Sequence, residues 1–195
     1  MSVAIMDAGG DYGAVIVSGA NLKIDQRVFA EEALWQGATH LVLQNEVPEA
    51  LNFAAAKSAR ERGIEVVLNA APTRGLSDEL VSAIDILLVN AGEAEALCGI
   101  PVTSLENGRD AARALAERFS RVVVTARGDG VAVAGGGTDY AEPGHNVVLV
   151  STHGAGDCFI GTIIASLAHA KGIEAAAANA NLAAAQHVSR PKSSR

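Results

Sequence analysis

Four short, mostly apolar runs constrain this chain more than any other feature: His40–Leu43, Ile64–Leu68, Ile84–Val89 and Arg121–Thr125. A strand that is apolar on both faces needs cover on both faces, and parallel strands sandwiched between helices have it. Helical spacing fills the intervals. Asp25–Trp35 is expected to be one helix. Pro48 opens a second that runs to Arg62, where Gly63 stops it. A brief helix is expected near Ser77–Ser82, another over Glu93–Cys98 ending at Gly99, and a longer one over Leu105–Phe119. Gly130–Ala134 reads as a further strand after a glycine turn, and two Ala-rich helices follow, about Ala155–Ala170 and Ile173–Ser189. Near the start, Val3–Met6 and Ala14–Val17 flank the Gly-rich segment Asp7–Gly13 and read as a β-hairpin. Strands alternating with helices predict βαβ units, hence an α/β fold with a mostly parallel central sheet.

Composition narrows the function classes. At 195 residues the chain suits one domain with a substantial core. Its residues are 49% hydrophobic and only 4% aromatic, which favours small-residue contacts between helices and sheet. A net charge of −7 argues against a nucleic-acid groove. It does not argue against a nucleotide, whose phosphates helix ends and backbone amides can hold locally. Cys98 and Cys158 are far apart and lack metal-ligand spacing, so a reduced, cytoplasmic protein is expected. The five histidines are scattered, and none is read as a metal ligand. Neither a signal peptide nor a membrane span is visible, so no membrane partner is expected. The polar, Pro-containing end 190–195 is expected to be a disordered tail.

In open parallel sheets, ligands bind at the carboxyl ends of the strands. Asn45-Glu46, Asn69, Asn90–Glu93 and Thr125–Gly128 all follow expected strands. The segment Ser151-Thr-His-Gly-Ala-Gly-Asp157 leads into the apolar run Cys158 to Ala170. Gly154, Ala155 and Gly156 let the backbone turn tightly and approach a ligand. The helix behind them points free N–H groups at the same spot, which suits an anion. A carboxylate at Asp157 can take the proton of a hydroxyl that attacks a phosphoryl group; the plain alternative is a helix cap. Asn90 and Glu93 likewise have the spacing of a cap with an acid in the first turn. Asn69 either takes part in a site or closes a turn before Pro72. Glu46 is either a substrate contact or a solvated carboxylate. His153 reads as exposed, Cys158 as a packing residue or a reactive thiol at a helix start, and Trp35 as core.

Together these residues resemble the ribokinase (PfkB-type) family of carbohydrate kinases. Thr152–Asp157 is similar to the family's C-terminal signature, whose Asp is the catalytic base and whose small residues form an anion hole. Asn90-x-x-Glu93 resembles its N-x-x-E motif. Leu43-Gln-Asn-Glu46 and Leu68-Asn-Ala-Ala-Pro72 look like the ribokinase branch, with Glu46 on the sugar side. Ser18-Gly-Ala-Asn21 resembles the return of the family's β lid to the main domain. Thr125 to Gly130 matches the loop bordering the nucleotide, and Asn181 a position near the adenine.

The resemblance implies a three-layer ribokinase-like fold: a lid remnant over 1–20, the α/β domain over 21–189, and the tail. It implies transfer of the ATP γ-phosphoryl group to a sugar, ribose first. Asp157 would be the base, assisted by the amides of Gly154, Ala155 and Gly156. Asn90, Thr125, Arg127, Gly128, Gly130 and Asn181 would line the nucleotide, and Glu93 would hold Mg2+ through water. Three departures stand out. The family's N-terminal third, with its Gly-rich sugar motif, has no counterpart here. Ser151 stands where the family carries an Asp beside a monovalent-cation site, which puts potassium dependence in question. Arg127 stands where it carries a glycine. A catalytically inactive remnant that binds nucleotide or a partner, and a kinase for another alcohol, therefore remain open. Uncovered apolar surface or the lid would favour self-association or a homodimer.

Overall fold

The computed structural model describes residues 2–6, 12–16 and 18–190. Strands β1 (Ser2–Met6) and β2 (Tyr12–Ile16) pair antiparallel, as the hairpin reading expects. Most of its expected Gly-rich loop, residues 7–11, lies outside the described residues, as do residues 191–195 of the expected tail.

The main sheet has six strands in chain order: β3 (His40–Gln44), β4 (Glu65–Asn69), β5 (Ile86–Asn90), β6 (Arg121–Thr125), β7 (Gly130–Gly135) and β8 (Thr138–Pro143). β3 to β6 are parallel, while β7 and β8 add on antiparallel. Successive residues along each strand point to opposite faces. Leu68, Leu87, Val89, Val122 and Val124 belong to one buried cluster. It is filled by α2 (Glu49–Arg60), α3 (Asp78–Ser82), α4 (Ala91–Cys98) and α5 (Leu105–Leu115) through Ala56, Leu80, Ala94 and Ala111. Val67, Ile86, Leu88, Val123 and Val131 face the other way. There they meet Phe159 and Ile163 of α6 (Ala155–Ala168) and Ala176, Ala177 and Ala180 of α7 (Ile173–Val188). The alternation produces three layers, helix–sheet–helix, and small alanines let the helices sit close to the valine-rich sheet.

Several elements differ from the sequence expectation. Asp25–Trp35 is not one helix: a 3-10 turn over Gln26–Ala30 is followed by a single helical turn, α1 (Glu32–Trp35). The Asp25 carboxylate accepts from the Arg27 amide at 2.9 Å, and the Trp35 indole N–H donates to the Phe29 carbonyl at 2.9 Å. These local side-chain bonds compete with a continuous helical ladder. Trp35 is core, as expected. The second difference is β8, which the sequence reading lacks. Its half-exposed TDYAEP segment has no apolar run to announce it, although Gly135, Gly136 and Gly137, all at positive φ, form the turn into it. The helix expected to reach Phe119 ends at Leu115, yet Phe119 is still buried.

Candidate active site

The register places the singled-out residues on one edge of the sheet. Gln44 pairs with Asn69, and Asn90 with Thr125, at the carboxyl ends of β3 to β6. Two antiparallel steps return β8 to the direction of β6, so Pro143 ends on that edge too. The Asn181 side-chain amide donates to the Pro143 carbonyl at 2.9 Å. Six residues further, about 9 Å along α7, His187 lies against Gly154. The amides of Val150 and Ser151 donate to the Val188 carbonyl at 2.8 and 3.1 Å. The end of α7 thus holds the loop that starts α6 at the carboxyl edge of the sheet.

Gly154 adopts φ +77° and is the N-cap of α6. The left-handed φ favours glycine, and a Cβ there would stand a tight 3.1 Å from His187 Nε2. The Ala155 amide donates back to Thr152, and the Cys158 amide to Gly154. The amides of Gly156 and Asp157 have no backbone acceptor among the described residues, and no side chain caps the helix. Two N–H groups and the positive helix end therefore remain available to an anion. Asp157 is exposed in the first turn and does not cap α6.

Asn90 and Glu93 do form a capping box on α4. The Glu93 amide donates to Asn90 Oδ1 at 2.9 Å, and the Asn90 amide donates to Glu93 Oε2 at 2.8 Å. The box leaves Glu93 Oε1 outside the pair. Burial pushes the Glu93 carboxyl above the usual range, and the Asn90 amide partly offsets that. Thr125 is half-buried at the end of β6, while Arg127 is exposed at φ +55°. Gly130, at φ +129°, and Gly144 have no room for a side chain. Their Cβ atoms would fall 2.0 Å from the Glu142 carbonyl oxygen and 1.8 Å from that of Gly128. The loops after β6 and β8 therefore meet backbone to backbone. Asn181 is buried and spends its amide on β8.

On the β3 side, Glu46 Oε2 accepts from the Asn21 side chain at 3.4 Å. Asn69 is buried. Among the described residues no group of three or more His, Cys, Asp and Glu side chains is placed to hold a metal ion. None of the described helices is long and apolar enough to cross a membrane. Two shallow depressions, of about 320 and 560 Å3, lie around Gln26, Phe29 and Arg62 and around Trp35, Arg62 and Ile64, away from the residues singled out above.

The family model for pfkB family carbohydrate kinases matches residues 2–195. The chain belongs to this family. Relatives of this chain include the ribokinase of Haemophilus influenzae, 34% identical over 178 residues. That alignment covers 90% of this chain and 58% of the relative. The deoxyribokinase of Salmonella typhimurium is 31% identical over 188 residues, covering 92% and 60%. A solved structure of Arabidopsis thaliana ribokinase with ribose and ATP superposes with a TM-score of 0.81 at 26% identity. It is matched over 96% of this chain and 62% of its own. The chain thus spans about three fifths of the length of these two curated relatives.

Two residues beside the site escaped the sequence reading. His187 carries no motif; only its Nε2, 2.9 Å from the His153 carbonyl, reveals its place against the loop. Arg74 lies two residues past the Leu68–Pro72 motif, where a surface arginine would be the ordinary reading. It is in fact partly buried against the turn that carries Glu46.

Proposed function

We propose that the chain acts as an ATP-dependent sugar kinase with ribose as the first candidate acceptor. The observation that carries this reading is the uncapped start of α6. It offers two free amides behind an exposed Asp157, on the sheet edge that Glu46 and Asn90 share. Asp157 takes the proton as the sugar O–H bond breaks; the oxygen bonds to the γ-phosphorus, whose bond to the β-bridging oxygen breaks, and ADP leaves. The amides of Gly156 and Asp157 stabilise charge on the transferring group, and Gly154 and Ala155 keep their approach clear of side chains. Glu46 takes a sugar hydroxyl. Thr125, Arg127, Gly128 and Gly130 border the nucleotide, and buried Asn181 fixes the β8 end beside them.

One free carboxylate oxygen on Glu93, with no cluster of acids around it among the described residues, fits a magnesium ion that keeps its waters and fits direct ligation poorly. Glu93 and Asn90 would hold such an ion through water, and when bound it would neutralise phosphate charge. A deoxyribose acceptor is the nearest alternative, since a deoxyribokinase matches at 31% identity. The test is Asp157→Asn: it should lose sugar-dependent turnover while ATP affinity, measured by calorimetry, stays within about threefold. Retention of most activity would remove the base assignment. A panel of ribose, deoxyribose and nucleosides fixes the acceptor.

A further inference from the structure

We propose that Arg74 is a positioning residue for Glu46, fixing the turn that carries it through a single guanidinium nitrogen. Arg74 Nη1 donates to the Asn45 carbonyl at 3.3 Å and to the Val47 carbonyl at 2.8 Å, the residues on either side of Glu46. Two further bonds tie the same turn down. The Asn45 amide donates to the Ala71 carbonyl at 2.9 Å, and the Asn52 side chain donates to the Gln44 carbonyl at 2.8 Å. The Glu46 side chain is left to face Asn21. Arg74 comes from the loop after β4, so it couples the carboxyl ends of two neighbouring strands.

Among the described residues, buried Nε and Nη2 have no hydrogen-bond partner, and neither do the two polar atoms of the neighbouring Asn45 side chain, 5% exposed. Nor does Arg74 pair with a carboxylate among the described residues. Arginine's advantage over lysine is its fork, and only Nη1 of that fork reaches the two carbonyls of the turn. One nitrogen reaching two carbonyls is a task that a lysine ammonium can perform once the turn closes up to its side chain, which is one bond shorter. Lysine also carries no second and third nitrogen to strand. The clamp is therefore a requirement for one buried cationic donor, and Arg74→Lys should keep it.

The sugar half of this inference rests on Glu46 being a sugar contact, and the experiment separates the two. Hydrogen exchange of the full chain is followed over the peptide 44–51, and KM is measured for ribose and for ATP. Arg74→Met should speed exchange in that peptide and raise ribose KM about tenfold, with ATP KM within about twofold. Arg74→Lys should match wild type in both. Wild-type exchange in Arg74→Met, or faster exchange in Arg74→Lys, would overturn the clamp. If Arg74→Met does not fold, Arg74→Lys alone decides. Glu46→Gln is the control. If it leaves ribose KM unchanged, or if wild type shows no ribose dependence, the sugar contact falls and with it the positioning role. If Glu46→Gln raises ribose KM and Arg74→Met does not, the positioning role alone falls.

Discussion

Arg127 occupies a left-handed conformation, φ +55°, with its side chain in solvent. For a side-chain-bearing residue that region costs about 1–2 kcal/mol. A glycine relieves the strain but returns about 0.5–1 kcal/mol as extra freedom of the unfolded chain. Arg127→Gly should therefore stabilise the protein by about 0.5–1 kcal/mol, read as a higher urea midpoint; a lower midpoint would contradict the strain. The departure was visible in the sequence, since the family carries glycine here, but the sign of its effect needed the dihedral. Gly154 was legible for the same reason, because glycines advertise unusual backbone. Arg74 and His187 were not. Their roles come from contacts between distant segments, 27 residues apart for Arg74 and Val47 and 34 for His187 and His153, and no local pattern encodes those.

Among the elements, α4 shows how a motif can serve structure and chemistry at once. Asn90 caps it, and Asn90→Ala should cost about 1 kcal/mol of stability even if no ligand ever binds. Loss of activity in that variant therefore needs an unfolding curve beside it; an unchanged midpoint would contradict the cap. The pair α5 and β8 is held at the surface by Asp139, which accepts from Arg109 Nε at 2.7 Å and from Arg113 Nη2 at 2.6 Å. Hydrogen bonds from Arg109 and then Arg113 hold its carboxyl down at about 2, from an ordinary 3.8. A depressed carboxylate stabilises the fold above the ordinary value and loses that contribution as pH falls towards the depressed one. Thermal midpoints should accordingly drop between pH 4 and 2, with a shallower drop in Asp139→Asn and in high salt. Identical acid limbs would contradict the pairing. Periodicity revealed the apolar strands and most helices. It missed β8, whose residues are half-exposed, and it fused the segment before Trp35, where Asp25 and Trp35 bond to the backbone.

For the molecule as a whole, β3 is the outer strand of the sheet, and its far edge pairs with no strand among the described residues. Its Val42 is 39% exposed, whereas Val67 on the neighbouring strand is fully buried. An open edge with an exposed apolar side chain favours association. The chain as given should show concentration-dependent association in sedimentation, reduced by Val42→Glu; a monomer at all concentrations would count against this. The layered fold was legible because both faces of its central strands are apolar. The open face was expected only from the family resemblance, because no residue of β3 itself states what covers it. On the proposed function, the α6 start and Asp157 make a working phosphoryl-transfer site. The most direct measurement is ADP release from ATP and Mg2+ with and without ribose, for this chain and for Asp157→Asn. Ribose-dependent release that disappears in the variant is the predicted result. Release no greater than the variant's, with ribose or with any other acceptor tested, would contradict it.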